Sequence, residues 1–246
     1  PTEWPGGADP YQREITENQD GERVTVKYSN THAETWPHAP EHYKDSYWCD
    51  RAVDFLERTG EEPFALFLYL WAPHPPLVVP EPYASLFDPA AIDLPENVGI
   101  PAEGEPANRR AGIAAQLAEG ISNEEWRRAW AAHLGLVNLA DAVIGRVLDA
   151  LEASQHADDT AVFFMSDHGD HMGQHGMYQK MEMYESAVRV PMILRVPGGA
   201  TAEIKAPVSH LDIMPTILEL MGIDAPEGLD GVSLLNSLRT GEAPPD

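Results

Sequence analysis

The chain has 246 residues and is 43% hydrophobic, enough for a single α/β domain with a proper core. Forty acidic residues against 16 basic ones give a formal net charge of −24, a field that repels both nucleic-acid phosphate and anionic membrane and argues against either as a partner. No run of roughly 18 apolar residues is present to span a bilayer, and a single cysteine, Cys49, excludes an internal disulfide.

Residues 1–43 are polar and show no sustained period, so they read as loop with at most short strands. Tyr47, Ala52, Val53, Phe55 and Leu56 have the spacing of a helix in which Cys49 is a buried small hydrophobe. The run from Phe64 to Trp71 is continuously apolar and bounded by proline on each side, the pattern of a strand buried on both faces. Pro73-His74-Pro75-Pro76 forces extended backbone, and an irregular, proline-rich segment continues to about Pro106. Ser122 and Glu125 form a capping-box pattern ahead of a helix over 123–153, with Trp126, Trp130, Leu134, Val137, Ile144, Val147, Leu148 and Leu151 on its apolar stripe. Strands are expected at Thr160–Met165 and Val190–Val196, and a short helix at 212–221 with Pro215 in its first turn and Gly222 at its stop.

Strand 64–71, helix 123–153 and strand 160–166 form a βαβ pattern, hence a parallel pair with a right-handed crossover. Ligands of open parallel sheets bind beyond the carboxyl ends of the strands. His74 leaves the first of these ends, and Asp167-His168 the second. A carboxylate and an imidazole side by side are metal-ligand types suited to Mn²⁺, Zn²⁺ or Ca²⁺, and Gly169 permits a sharp turn beneath them. Lys180 follows after a glycine-rich loop, a fixed positive charge beside a cation site. His171 and His175 crowd the same loop and read as packing or hydrogen-bonding residues, and Glu185 with Arg189 as a structural pair.

The segment Ser166–Pro191, with Asp-His-Gly, Gly173-x-His175-Gly, Lys180, Tyr184-Glu185 and Arg189-Val-Pro191, resembles the sulfatase family of the alkaline-phosphatase superfamily. Supporting pieces occur in order: Asp50-x-x-x-Asp54-Phe55, Ala72-Pro73-His74-Pro75-Pro76, Asp141-x-x-Ile144-Gly145-Arg146, Asp212-x-x-Pro215-Thr216 and Leu229-Asp230-Gly231-x-Ser233-Leu234. The resemblance implies a three-layer α/β sandwich, a mostly parallel sheet with helices on both faces, formed by residues 1–246 as one domain. It implies that Asp167 and His168 are metal ligands, that Lys180 contacts the sulfate and the leaving-group oxygen, and that His74 bonds a sulfate oxygen or protonates the leaving group. The implied cofactors are a divalent metal ion, calcium in most of the family with manganese or zinc as alternatives, and a formylglycine nucleophile. Many sulfatases have Asn at the position of His168; the Asp-His form is seen in members resembling choline-sulfatase and phosphonate monoester hydrolase.

The Cys/Ser-x-Pro-x-Arg motif that yields formylglycine does not occur in these 246 residues. The expectation is therefore an internal piece of a longer enzyme, lacking the nucleophile region and the small C-terminal subdomain, and inactive alone. The expected substrate is a small-molecule or glycan sulfate ester whose alcohol (sugar, choline, aryl or lipid) is left open. A phosphonate monoester or phosphodiester hydrolase, or a non-catalytic domain binding anions or a partner, are the alternatives. No signal peptide is visible, so a cytoplasmic location is the working expectation, with processing allowed for by the start at Pro1.

Overall fold

The computed structural model describes residues 10–199, 203–242 and 244. In chain order it contains strands β1 (Gln12–Gln19), β2 (Glu22–Ser29) and β3 (Ala33–Trp36), helix α1 (Lys44–Arg58), strand β4 (Leu77–Pro80), helices α2 (Ile113–Ala118) and α3 (Asn123–Glu152), and strands β5 (Val162–Met165), β6 (His171–Met172) and β7 (Tyr178–Gln179). Helix α4 (Glu185–Val188), strand β8 (Met192–Arg195) and helices α5 (Ile213–Leu220) and α6 (Leu235–Thr240) follow. No helix among the described residues is long and apolar enough to cross a membrane.

Contacts divide the chain into two compact units, one made of residues up to Ala157 together with His168–Arg189, the other of Asp158–Asp167 and residues from Val190 onward. In the first unit, β1 and β2 form an antiparallel hairpin with Gln19 opposite Glu22. Its two-residue turn, Asp20-Gly21, has positive φ at both positions, which matches the twist of the flanking strands. This corrects the expectation of a loop with short strands at most. Strands β3 and β4 pair in parallel, Ala33 opposite Leu77.

Helix α1 buries Asp45, Cys49, Ala52 and Leu56 at helical spacing and packs on α3. Helix α3 is capped reciprocally by Ser122 and Glu125, as its sequence implies. Its buried face differs from the expected stripe. Val137 and Leu148 are exposed, while Ala129, Gly135, Leu136, Leu139 and Val143 point into the core. Small residues win that face because the chain approaches closely there: a Cβ on Gly135 would lie 2.6 Å from the carbonyl oxygen of Tyr83. The core joins this face to Leu77, Val79, Leu117, Met172 and Tyr178.

Residues 64–71 do not form the expected doubly buried strand. They belong to no ladder among the described residues, and Phe67 and Tyr69 are 62% and 81% exposed. An apolar sequence favours burial, but a strand also needs neighbours to take its backbone N–H and C=O groups. The parallel pairing expected with 160–166 is likewise not made, because β5 pairs antiparallel with β8, Phe163 opposite Leu194.

In the second unit the Asp-x-x-Pro-Thr and Leu-Asp-Gly-x-Ser-Leu motifs are bound to each other. Asp212 accepts from the N–H of Ser209 (2.7 Å) and Val232 (2.9 Å), and the Thr216 hydroxyl accepts from Leu234 N–H at 3.0 Å. A Cβ on Gly231 would lie 2.1 Å from the Leu211 carbonyl oxygen, so these motif residues fasten one loop to the start of α5. Gly222 closes that helix with φ +67°.

Candidate active site

The arm that carries His74 is held by the first turn of α1. The carboxylate of Asp45, fully buried, accepts hydrogen bonds from the backbone N–H of Trp71 and of Ala72, the latter at 3.2 Å. This explains an acidic residue on the apolar face of α1: it receives donors that an unpaired strand end leaves over. Beyond it the arm folds back on itself. His74 N–H donates to the Trp71 carbonyl at 2.8 Å, and the Trp71 indole N–H donates to the Pro75 carbonyl at 3.3 Å.

The imidazole of His74 has a defined proton arrangement. Its Nδ1 lies 2.6 Å from the Pro75 carbonyl oxygen, which can only accept, so Nδ1 carries the hydrogen. Nε2 is then an acceptor, and the ammonium of Lys180 donates to it at 2.5 Å. Burial lowers the pKa of His74, and the charge of Lys180, the His168 ring and the charge of Lys44 lower it further against the opposing pull of the Pro75 bond. The imidazole of the pair is therefore neutral.

Lys180 reaches this point because the loop before it is anchored on both sides. Strands β6 and β7 pair through His171 and Gln179, Trp130 Nε1–H donates to the Met172 carbonyl at 2.8 Å, and Gln179 Nε2–H donates to the Ser29 carbonyl at 2.7 Å. Gln179 has φ +68°, a left-handed conformation rarely taken by this residue type, which sets the direction in which the chain enters Lys180. His171 and His175 serve the loop, as expected. Buried His171 takes a bond from the Ser186 hydroxyl at 2.6 Å, and His175 stacks on Tyr184 with centroids 4.5 Å apart. Glu185 and Arg189 form an exposed ion pair of 3.8 Å.

His168 Nδ1 lies 2.9 Å from the Gly169 carbonyl oxygen, which assigns the hydrogen to Nδ1 and leaves Nε2 with the lone pair that a metal takes. Gly169 has an ordinary φ. Its need for glycine is close packing, since a Cβ there would lie 2.1 Å from the Ser186 carbonyl oxygen. The boundary between the two units falls at the Asp167–His168 peptide bond. Among the described residues no group of three or more His, Cys, Asp or Glu side chains is gathered to hold a metal ion. The two donors at adjacent positions make at most part of a coordination shell.

Two residues here were not singled out by the sequence reading. Lys44 lies with its ammonium 3.9 Å from the centroid of the Trp71 ring, and Trp71 in turn lies 4.4 Å, centroid to centroid, from the His74 ring. Burial pushes the pKa of Lys44 down to about 8, against the attraction of Asp45. The signal for Asp45 was legible, a carboxylate at a core position of α1. Nothing in the local sequence marks Lys44, whose neighbour Trp71 is 27 positions away.

A model of the sulfatase family matches residues 5–223. The multifunctional alkaline phosphatase superfamily protein PehA of Trinickia caryophylli is 31% identical over 220 residues, covering 82% of this chain and 43% of that protein. The choline-sulfatase of Rhizobium meliloti (strain 1021) is 29% identical over 231 residues, covering 87% and 45%. Among solved structures, the phosphonate monoester hydrolase SpPMH from Silicibacter pomeroyi superimposes with a TM-score of 0.72 at 30% identity, covering 98% of this chain and 49% of that one. The chain thus spans about half the length of the curated relatives it matches, and its α/β architecture is the one these proteins share.

Proposed function

The chain belongs to the sulfatase family, and on that premise we propose that it supplies the leaving-group side of the active site of a metal-dependent sulfate-ester hydrolase. The observation that carries this reading is the Lys180–His74 bond and its surroundings. In a chain of net charge −24, Lys180 and His74 meet at 2.5 Å, and among the described residues no carboxylate pairs with Lys180. A lysine ammonium held on a neutral imidazole, with no carboxylate partner among the described residues of so acidic a protein, suits an anionic substrate.

In cleavage of a sulfate ester the bond from sulfur to the bridging oxygen breaks as sulfur bonds to a nucleophile supplied by another part of the whole protein, and the electron pair stays on that oxygen. The ammonium of Lys180 stabilises the growing charge there, and a proton from Nζ completes the alcohol. His74, fixed by Pro75, orients Lys180 through Nε2 and takes up the freed hydrogen-bonding geometry as the proton leaves. In this reading Asp167 and His168 are ligands of a divalent metal whose remaining ligands, like the nucleophile, come from other parts of the whole protein. The metal, calcium by family, supplies charge stabilisation on the sulfate oxygens when bound.

A second reading is hydrolysis of phosphonate monoesters or phosphodiesters, favoured by the similarity to the phosphonate monoester hydrolase and by the Asp-His form of the ligand pair. The test uses the whole protein, with 4-nitrophenyl sulfate and an aryl phenylphosphonate as substrates, with and without chelator, beside Lys180→Ala and His168→Ala. Chelator-sensitive sulfate turnover that both variants lose supports the first reading. A higher kcat/KM for the phosphonate supports the second. No turnover of either ester would favour a non-catalytic anion-binding domain.

A further inference from the structure

Four lysines occur in the chain, and two of them, Lys44 and Lys180, stand at the same arm of residues 71–76. Lys44 is distinct from the pair described above. It does not bond His74 but sits on the far partner of a stack, with its ammonium over Trp71, whose ring neighbours His74. Its charge acts on His74 from there. Among the described residues no carboxylate forms an ion pair with Lys44, although 40 acidic residues are available in the chain. Asp45 attracts Lys44, but its carboxylate is engaged by the Trp71 and Ala72 N–H groups, and a cation desolvated against an indole gains from an incoming anion what a surface lysine would not.

The surface next to Lys44 is aromatic. Tyr47 and Trp48 follow it at i+3 and i+4 on the same face of α1 and are 54% and 52% exposed. Trp71 is itself about half exposed. Exposed flat rings beside an ammonium held over an indole fit a ring-bearing group with a negative charge.

We propose that Lys44 is a specificity-determining residue, binding through Trp71-supported charge a second anionic group carried on the alcohol part of the ester. The proposal rests on the leaving-group reading of His74 and Lys180, since it places the alcohol beside them. The substrate class is accordingly an ester of an anionic ring alcohol, whether carboxylated aryl or acidic sugar. The second anion is not cleaved.

The test compares two esters that differ by one carboxylate, phenyl sulfate and 4-carboxyphenyl sulfate, on the whole protein and on Lys44→Gln and Lys44→Arg, with binding of 4-hydroxybenzoate and phenol followed by calorimetry. Lys44→Gln is expected to lower kcat/KM for the carboxylated ester about tenfold more than for phenyl sulfate, and to raise the Kd of 4-hydroxybenzoate about tenfold, the size of one charge-assisted contact. Lys44→Arg should recover most of both. Equal losses on the two esters, or an unchanged Kd for 4-hydroxybenzoate, would overturn the proposal. If neither ester is turned over while Lys44→Gln still weakens 4-hydroxybenzoate, the anion site stands and the sulfate-hydrolase reading falls.

Discussion

Lys180 donates its ammonium hydrogen to Nε2 of His74 at 2.5 Å, joining two residues 106 positions apart. Because Nδ1 of His74 is committed to the Pro75 carbonyl, the two side chains form one proton arrangement and not two separate groups. Residues that act as a unit give non-additive losses when removed. In the whole protein, Lys180→Ala and His74→Ala are each expected to lower kcat by roughly 10²–10⁴-fold, the range for a positioned acid or charge. The double variant should lose little beyond the worse single one. Multiplicative losses in steady-state kinetics would show that the two residues act independently.

Asp45 sets where that arm lies. Replacing it with Ala removes the acceptor for two backbone N–H groups in a fully buried position, and each orphaned donor costs about 1–3 kcal/mol. Asp45→Ala should therefore lower the urea midpoint by the equivalent of about 2–6 kcal/mol. Asp45→Asn keeps an acceptor oxygen and should cost clearly less. Equal destabilisation by the two would mean that the charge, and not the bond to Trp71 and Ala72, is what the fold needs there.

Gly169 makes a local prediction with an internal control. An Ala at 169 would place Cβ 2.1 Å from the Ser186 carbonyl and push apart the segments joined by the 2.8 Å bond from Gly169 N–H to the Ala187 carbonyl. Overpacking of this kind costs roughly 1–3 kcal/mol. Gly145, inside α3, has open space where its Cβ would be, so Gly145→Ala should stabilise by roughly 0.5–1 kcal/mol through helix propensity. Thermal unfolding of the two variants should move in opposite directions. A neutral Gly169→Ala would remove the packing account.

What the sequence disclosed follows from how local each signal is. The capping box of α3, the Pro215 and Gly222 ends of α5 and the burial of Cys49 are short-range features, and they stand as read. The β1–β2 hairpin also has short-range signals, Asp20-Gly21 and the alternation of Val24, Val26 and Tyr28 in β2, but β1 is polar on nearly every position with only Ile15 buried, so its half of the pattern is faint. The stripe expected on α3 holds at Trp126 and Leu151, which are buried, and fails at Val137 and Leu148, because Trp and Leu outweigh Ala and Gly in a hydrophobic stripe whereas close approach to Tyr83 favours the small residues. The run 64–71 shows the limit most clearly: its composition states a preference for burial but cannot state which strands flank it. Strand ends link His74 with Asp167 and His168 in the sequence, through a strand at 64–71 that the fold does not form, and Lys180 joins them only through the family motif, while Lys44 depends on a tertiary stack with Trp71 and leaves no trace in the sequence.

His171 links the loop that carries Lys180 to pH. Its Nε2 lies 3.2 Å from the Glu182 carbonyl, so the hydrogen is on Nε2, and Nδ1 accepts from the Ser186 hydroxyl. Burial pushes its pKa down to about 4, with His175 adding in the same direction. The unfolded chain titrates this group near 6.5. Between about 4 and 6.5 the unfolded state thus binds more protons, so stability rises with pH in that window. The contribution is complete above about 6.5 and is lost as pH falls towards 4. At pH 5 the loss from His171 alone is about 2 kcal/mol relative to pH 7. His171→Gln, whose amide can still donate to Glu182, should be less stable at pH 7 but should flatten the pH dependence by about that amount. A residual slope is expected from His133 in α3, also pushed down to about 4 by burial. Urea unfolding of the whole protein at pH 7 and pH 5 measures both slopes, and an unchanged slope in His171→Gln would show that this histidine does not carry the acid sensitivity.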